Sequence, residues 1–175
     1  LLNIVITGSL FLAGAFYNSW LMGVGAVIGV LVGTVTALLL KYNRDDINQG
    51  LYGYKSTLVC LAIVYFFGFS VPSGIAAILG AVLSVFITNV MRRKWKLPTF
   101  TAPFIVSAWV VMAVLLTFHI VPFQISPLPN AGKLEIIPAL SIGVGQVMFL
   151  EDVISGIILF VGILVSSRVS ALYAL

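Results

Sequence analysis

Leu2-Asn3-Ile4-Val5-Ile6-Thr7-Gly8 returns near the other end of the chain as Leu150-Glu151-Asp152-Val153-Ile154-Ser155-Gly156. Residues 150–168 laid over residues 2–20 give six identities in nineteen at a constant offset of 148: Leu2, Val5, Ile6, Gly8, Gly14 and Ser19. A segment that recurs at a fixed period marks a repeat architecture. The chain therefore reads as one full period of about 148 residues and the first helix of the next.

Both copies are apolar, and so is the rest of the chain. Hydrophobic residues make up 61% and charged residues 8%, a balance that an aqueous surface does not tolerate. A bilayer core about 30 Å thick needs roughly 20 apolar residues per helix. Six spans follow, at 1–18, 21–40, 51–70, 73–91, 101–121 and 150–168. The expected class is an all-α integral membrane protein. Cys60 is the single cysteine and lies within a span, so it reads as a packing thiol and forms no intrachain disulfide. Both ends fall in membrane-helix sequence, and the reading is of part of a longer protein, about twice this length.

The net charge of +4 is not a nucleic-acid signal, because the basic residues lie in short loops between spans. Arg92-Arg93-Lys94-Trp95-Lys96 is the strongest topogenic cluster and goes to the cytoplasm. Lys41, Arg44 and Lys55 then fall on the same side, as does Arg168 if residues 122–149 do not cross. That puts eight of the nine basic residues inside and Lys133 outside. Five spans separate the start of the first copy from the start of the second, if residues 122–149 do not cross. Five is odd, so the copies run in opposite directions and the repeats are inverted, an architecture of transporters and channels.

Three places break the helical pattern. Gly50-Leu51-Tyr52-Gly53-Tyr54 opens a span with two glycines. Leu97-Pro98-Thr99-Phe100-Thr101-Ala102-Pro103-Phe104 carries two prolines and two threonines. Residues 122–138 hold four prolines, followed by residues 139–149. Eleven residues of helix cover only about 16 Å, so 139–149 reads as a half-spanning, re-entrant helix. Broken backbone at membrane depth is tolerated where it is buried in protein or lines a wet cavity. The alternative at each site is an ordinary loop or kink.

The octapeptide at 97–104 resembles the LPxxTxPF motif of the urea transporter family, with every defined position matched. Residues 50–54 resemble that family's GLxGYN, and Gly145-Gln146-Val147-Met148-Phe149 resembles the GQVxF that opens each of its repeats. The resemblance covers essentially the whole chain. It implies a first repeat at 1–138, lacking its leading segment, and the start of a second, inverted repeat at 139–175. One position departs: the family's Asn after GLxGY is Lys55 here. A lysine there either snorkels to the cytoplasmic headgroups or changes that half of the pore.

The resemblance further implies a passive channel for urea, with no cofactor. Urea is flat, neutral and strongly polar, and an uncompensated amide costs roughly 2–7 kcal/mol to dehydrate. A slot between apolar walls, flanked by oxygen acceptors, lowers that barrier. By the family motifs Gln146 is an outer acceptor, Thr101 a mid-pore hydroxyl, and Val147, Phe149, Tyr54 and Leu58 are slot residues. Each has a plainer alternative. A membrane threonine often bonds its own i−4 carbonyl. Gln146 can satisfy a neighbouring helix, and the apolar residues can simply pack. The implied partners are the bilayer, urea as permeant and two further copies in a homotrimer. The implied location is a plasma membrane, and the lack of long extramembrane segments suits a bacterial inner membrane.

Other charged residues suggest a competing class. Glu151 and Asp152 would suit an ion- or proton-coupled transporter, but their counterparts in the first copy are Asn3 and Ile4. A boundary position at a helix N-terminus fits them better. Asp45 and Asp46 read as solvated loop residues, and His119 as an interfacial residue. No nucleophile–base set, metal-ligand cluster or phosphate loop points to an enzyme.

Overall fold

The computed structural model describes residues 2–94, 99–124 and 136–166. Leu97 and Pro98 of the octapeptide, most of the 122–138 segment, Lys133, Ser167 and Arg168 lie outside the described residues. Among those described, the regular elements are all helices: α1 (Leu2–Asn18), α2 (Trp20–Leu39), α3 (Arg44–Asn48), α4 (Leu51–Phe67), α5 (Val71–Lys94), α6 (Ala102–Thr117), α7 (Ile136–Gln146) and α8 (Val153–Ser166). The expected spans are matched by α1, α2, α4, α5, α6 and α8. By length and composition α2 and α5 are long and apolar enough to cross a membrane, while α4, α6 and α8 are shorter apolar helices. Their outward faces are apolar too, with Leu79 and Trp109 exposed.

The chain forms two compact units, Leu1–Val24 with Ser126–Leu175, and Gly25–Ile125. The first holds both copies of the repeated helix. Thr7 Oγ1 donates to the Gly162 carbonyl at 3.1 Å, and the Glu151 amide donates to Asn18 Oδ1 at 3.1 Å. Gly14 faces Leu159, and Gly162 faces Phe11. The partners run in opposite order along the two helices, so α1 and α8 are antiparallel. The glycine contacts are also reciprocal, because Gly14 and Phe11 stand 148 positions before Gly162 and Leu159.

One polar partner is missing from this pair of helices. Ser155 is the counterpart of Thr7 in the repeat, yet its Oγ is buried and bonds nothing among the described residues. A buried hydroxyl without a partner carries its desolvation cost and returns nothing. Ser155→Ala is therefore expected to raise stability by about 0.5–1 kcal/mol, and Thr7→Val to lower it by a similar amount. Thermal unfolding of both variants in detergent checks the opposite signs.

The second unit is built around α4, whose residues are almost all buried. A helix buried on every side needs close neighbours, and α2 supplies one with Gly25, Gly29 and Gly33 at four-residue spacing. A Cβ at Gly29 would come within 2.5 Å of the Thr57 Cα, and one at Gly33 within 2.6 Å of the Ser56 Cβ. On another side Ser56 Oγ donates to the Ala81 carbonyl of α5 at 3.0 Å, and Cys60 Sγ reaches the Ala77 carbonyl at 3.7 Å. Cys60 is thus the packing thiol expected of it, within a core of Val59, Ile63, Phe67, Ala81 and Leu115.

Several charged and aromatic residues expected on the cytoplasmic side meet at one end of this unit. Arg92 Nη2 binds Asp46 Oδ1 at 2.7 Å. Arg93 lies over the Tyr42 ring, and Tyr42 contacts Tyr52. This corrects one expectation. Asp45 is exposed, but Asp46 is buried, because the short α3 turns it toward the basic end of α5.

Candidate functional site

The predicted site residues fall in both units, three in each. In the first unit they share one turn. α7 ends at Gln146, not Phe149, so the half-helix keeps its expected eleven residues but lies three positions earlier. Pro138 then sits in its first turn, where a missing N–H is harmless. The chain leaves α7 by two characteristic bonds. The Leu150 amide donates to the Gly145 carbonyl at 3.0 Å, and the Phe149 amide donates to the Gln146 carbonyl at 3.0 Å. This is a Schellman ending, and Phe149 takes its left-handed position with φ 60°.

Glycine normally fills that position, since a side chain there costs about 1 kcal/mol or more. Here the position is held by a phenylalanine. Val147 is 65% exposed in the same turn. The Gln146 side chain is exposed and bonds no protein group among the described residues. After the turn Asp152 Oδ2 accepts from the Ile154 and Ser155 amides at 2.8 and 3.1 Å. Asp152 is therefore the N-cap of α8.

In the second unit Tyr54 and Leu58 lie one turn apart on α4, on one face. Leu58 is fully buried, and Tyr54 is the exposed residue of this otherwise enclosed helix. Thr101 precedes α6 as its N-cap, with Pro103 in the first turn, but its side chain makes no capping bond. Its i−4 residue, Leu97, lies outside the described residues, whereas Ser107 makes such a bond, its Oγ donating to the Pro103 carbonyl at 2.7 Å. The Thr101 hydroxyl is thus exposed and unengaged among the described residues. Phe100, just before it, has φ 25°, outside the ordinary helical and extended regions.

One contact was not foreseen. Lys55 does not snorkel to headgroups. It is buried, and its Nζ donates to Thr99 Oγ1 at 2.5 Å. Thr99 occupies an undefined position of the octapeptide pattern, so the motif gave no reason to single it out. The bond joins two segments that stand 44 residues apart in the chain. No group of three or more metal-ligating side chains occurs among the described residues.

Each unit thus presents an exposed polar side chain close in the chain to a left-handed or otherwise irregular aromatic residue: Gln146 with Phe149 in one, Thr101 with Phe100 in the other. A family model described as urea transporter matches residues 1–175. Urea transporter 1 of Ovis aries is 30% identical over 188 residues, covering 97% of this chain and 48% of that protein. The corresponding protein of Mus musculus is 33% identical over 189 residues, with the same shares. The chain spans about half the length of these curated relatives. With one family model matching it from end to end, and with that family's motifs carrying its open polar groups, the chain belongs to the urea transporter family.

Proposed function

We propose that this chain forms part of a passive, urea-selective channel of the plasma membrane, and that it transports rather than catalyses. The observation that carries the reading is the unengaged Thr101 hydroxyl at the start of α6. A threonine at a helix N-terminus ordinarily caps it, so one that makes no bond among the described residues is open to a passing amide. Gln146 offers a second free acceptor in the other unit. By the family motifs Val147 and Phe149 are the apolar slot residues of one unit, with Phe149 set by its left-handed backbone, and Tyr54 and the buried Leu58 are those of the other.

The proposed frame is a pair of inverted repeats, the first over 1–138 and the second beginning at 139. The antiparallel, reciprocal packing of α1 and α8 supports it. The short α7 is the re-entrant half-helix that opens the second repeat. A bacterial inner membrane and a homotrimer with one pore per subunit complete the proposal, the trimer resting on the family resemblance. Mass measurement of the detergent-solubilised particle tests the trimer.

Urea efflux from proteoliposomes of the full-length protein tests the function. The expected result is saturable flux that does not change when a membrane potential or a pH gradient is imposed. Flux driven by either gradient would replace the channel with a coupled transporter. Flux no greater than in protein-free liposomes would remove urea as the permeant.

A further inference from the structure

The backbone at Phe100 calls for a restraint that its own side chain does not supply. Its φ of 25° lies where residues with a side chain rarely go, and its ring is exposed, so packing of the ring does not hold it there. Such a conformation persists only when the surrounding structure fixes the chain around it. Two fixings flank it. Pro103 is fully buried in the first turn of α6. On the other side Thr99 is buried, and its Oγ1 accepts the bond from Lys55 Nζ of α4. Between these anchors the chain turns outward, leaving Phe100 and Thr101 exposed.

The Lys55–Thr99 bond is the long-range part of this arrangement. It ties the approach to α6 onto α4, the helix that also carries Tyr54 and Leu58. Both of its residues are buried, and a hydrogen bond away from water is stronger than one in it. The bond asks nothing of the lysine's charge, because an amine donates with or without its extra proton. Nor does it need Lys55 to touch a solute. What it sets is position. Two residues after Thr99 comes the Thr101 hydroxyl, which has no capping bond of its own to place it. A hydrogen bond tolerates only about half an ångström of displacement, so an acceptor for a passing solute has to be held by its neighbours. We propose that Lys55 is a positioning residue for Thr101: by tying Thr99 to α4 it holds the turn at Phe100, and with it the Thr101 hydroxyl, where a urea amide can reach it. The proposal rests on the channel reading above and deepens it.

Urea efflux from proteoliposomes of the full-length protein, expressed per folded protein, tests it in two backgrounds. Thr99→Val removes the bond with little change of shape. In the wild-type background it is expected to lower flux about fivefold, and by no more than the roughly tenfold expected of Thr101→Val, because a displaced hydroxyl can lose no more than an absent one. In the Thr101→Val background the same change should leave flux within about twofold. The melting temperature should fall in both backgrounds, since the bond is broken in both. A merely structural bond would move the melting temperature in the same way, but its effect on flux would not depend on the Thr101 hydroxyl. Lys55→Met should reproduce these results from the other end of the bond, and either variant suffices should the other not fold. Thr99→Ser keeps the bond and should keep flux within about twofold of wild type.

Five results overturn the proposal: flux per folded protein unchanged when the bond is broken; flux falling as far again in the Thr101→Val background; Thr99→Ser losing as much flux as Thr99→Val; neither Thr99→Val nor Lys55→Met folding; and Thr101→Val with unchanged urea flux, since the hydroxyl to be placed would then lie off the path. Wild type that passes no urea brings down the channel reading itself, a result separate from the other five.

Discussion

Thr101→Val is expected to cut urea flux about tenfold while leaving the protein's stability within about 0.5 kcal/mol of wild type. The two side chains have nearly the same shape. In the folded protein the Thr101 hydroxyl bonds nothing among the described residues, so removing it breaks no internal contact. Its loss is felt only when a solute passes. One hydrogen bond is worth about 1–1.5 kcal/mol, and 1.4 kcal/mol in a barrier is a factor of ten in rate. Gln146→Ala is expected to act in the same way and by a similar factor, since that side chain is also unengaged. Stopped-flow urea efflux read beside thermal unfolding separates the two effects. Urea flux unchanged in both variants would keep the channel and remove these residues from its path. A large fall in melting temperature would give Thr101 a structural role instead.

The largest effect on folding is expected from Gly156→Val. A Cβ at Gly156 would stand 2.0 Å from the Ser141 carbonyl oxygen of α7. Backbone cannot move aside as a side chain can, so α7 and α8 would have to separate. Separation also loses the bond from Ser141 Oγ to the Val153 carbonyl. Overpacking of this kind costs about 3 kcal/mol or more, enough to remove most of a marginal stability. Because Gln146 and Phe149 lie at the end of α7, flux should fall with the fold. Gly143→Ala is the control, since a Cβ there meets nothing within 4 Å, and replacing a helical glycine by alanine is favourable by itself. Monodisperse yield and melting temperature in detergent measure both. A Gly156→Val protein as stable as wild type would mean that the α7–α8 crossing is looser than described.

The helices were legible because each is a long apolar run, and the half-helix because eleven residues cannot span. Its position was read three residues late. The expected start was placed after Pro138, but proline fits within a first helical turn, and the stop was set by a Schellman ending that needed no glycine. Lys41 and His119 also have positive φ, with amide bonds of the same pattern at the ends of α2 and α6. Without glycine at those positions, neither stop is visible in the residue types. Asp46 was misread for a related reason. Its burial depends on Arg92, which stands 46 positions away in the chain.

The sequence by itself determined the apolar helices, the repeated segment and the motifs that name the family. Those features are local: they rest on hydropathy, on period and on short strings of residues. Only the tertiary structure decided that α1 and α8 pack antiparallel with reciprocal contacts, that the Thr101 hydroxyl is left open, and that Lys55 turns inward to Thr99. Each of these depends on which groups meet once distant segments close on one another. A hydroxyl or an ammonium has many possible partners along a chain, and folding selects among them by what lies within about 3 Å.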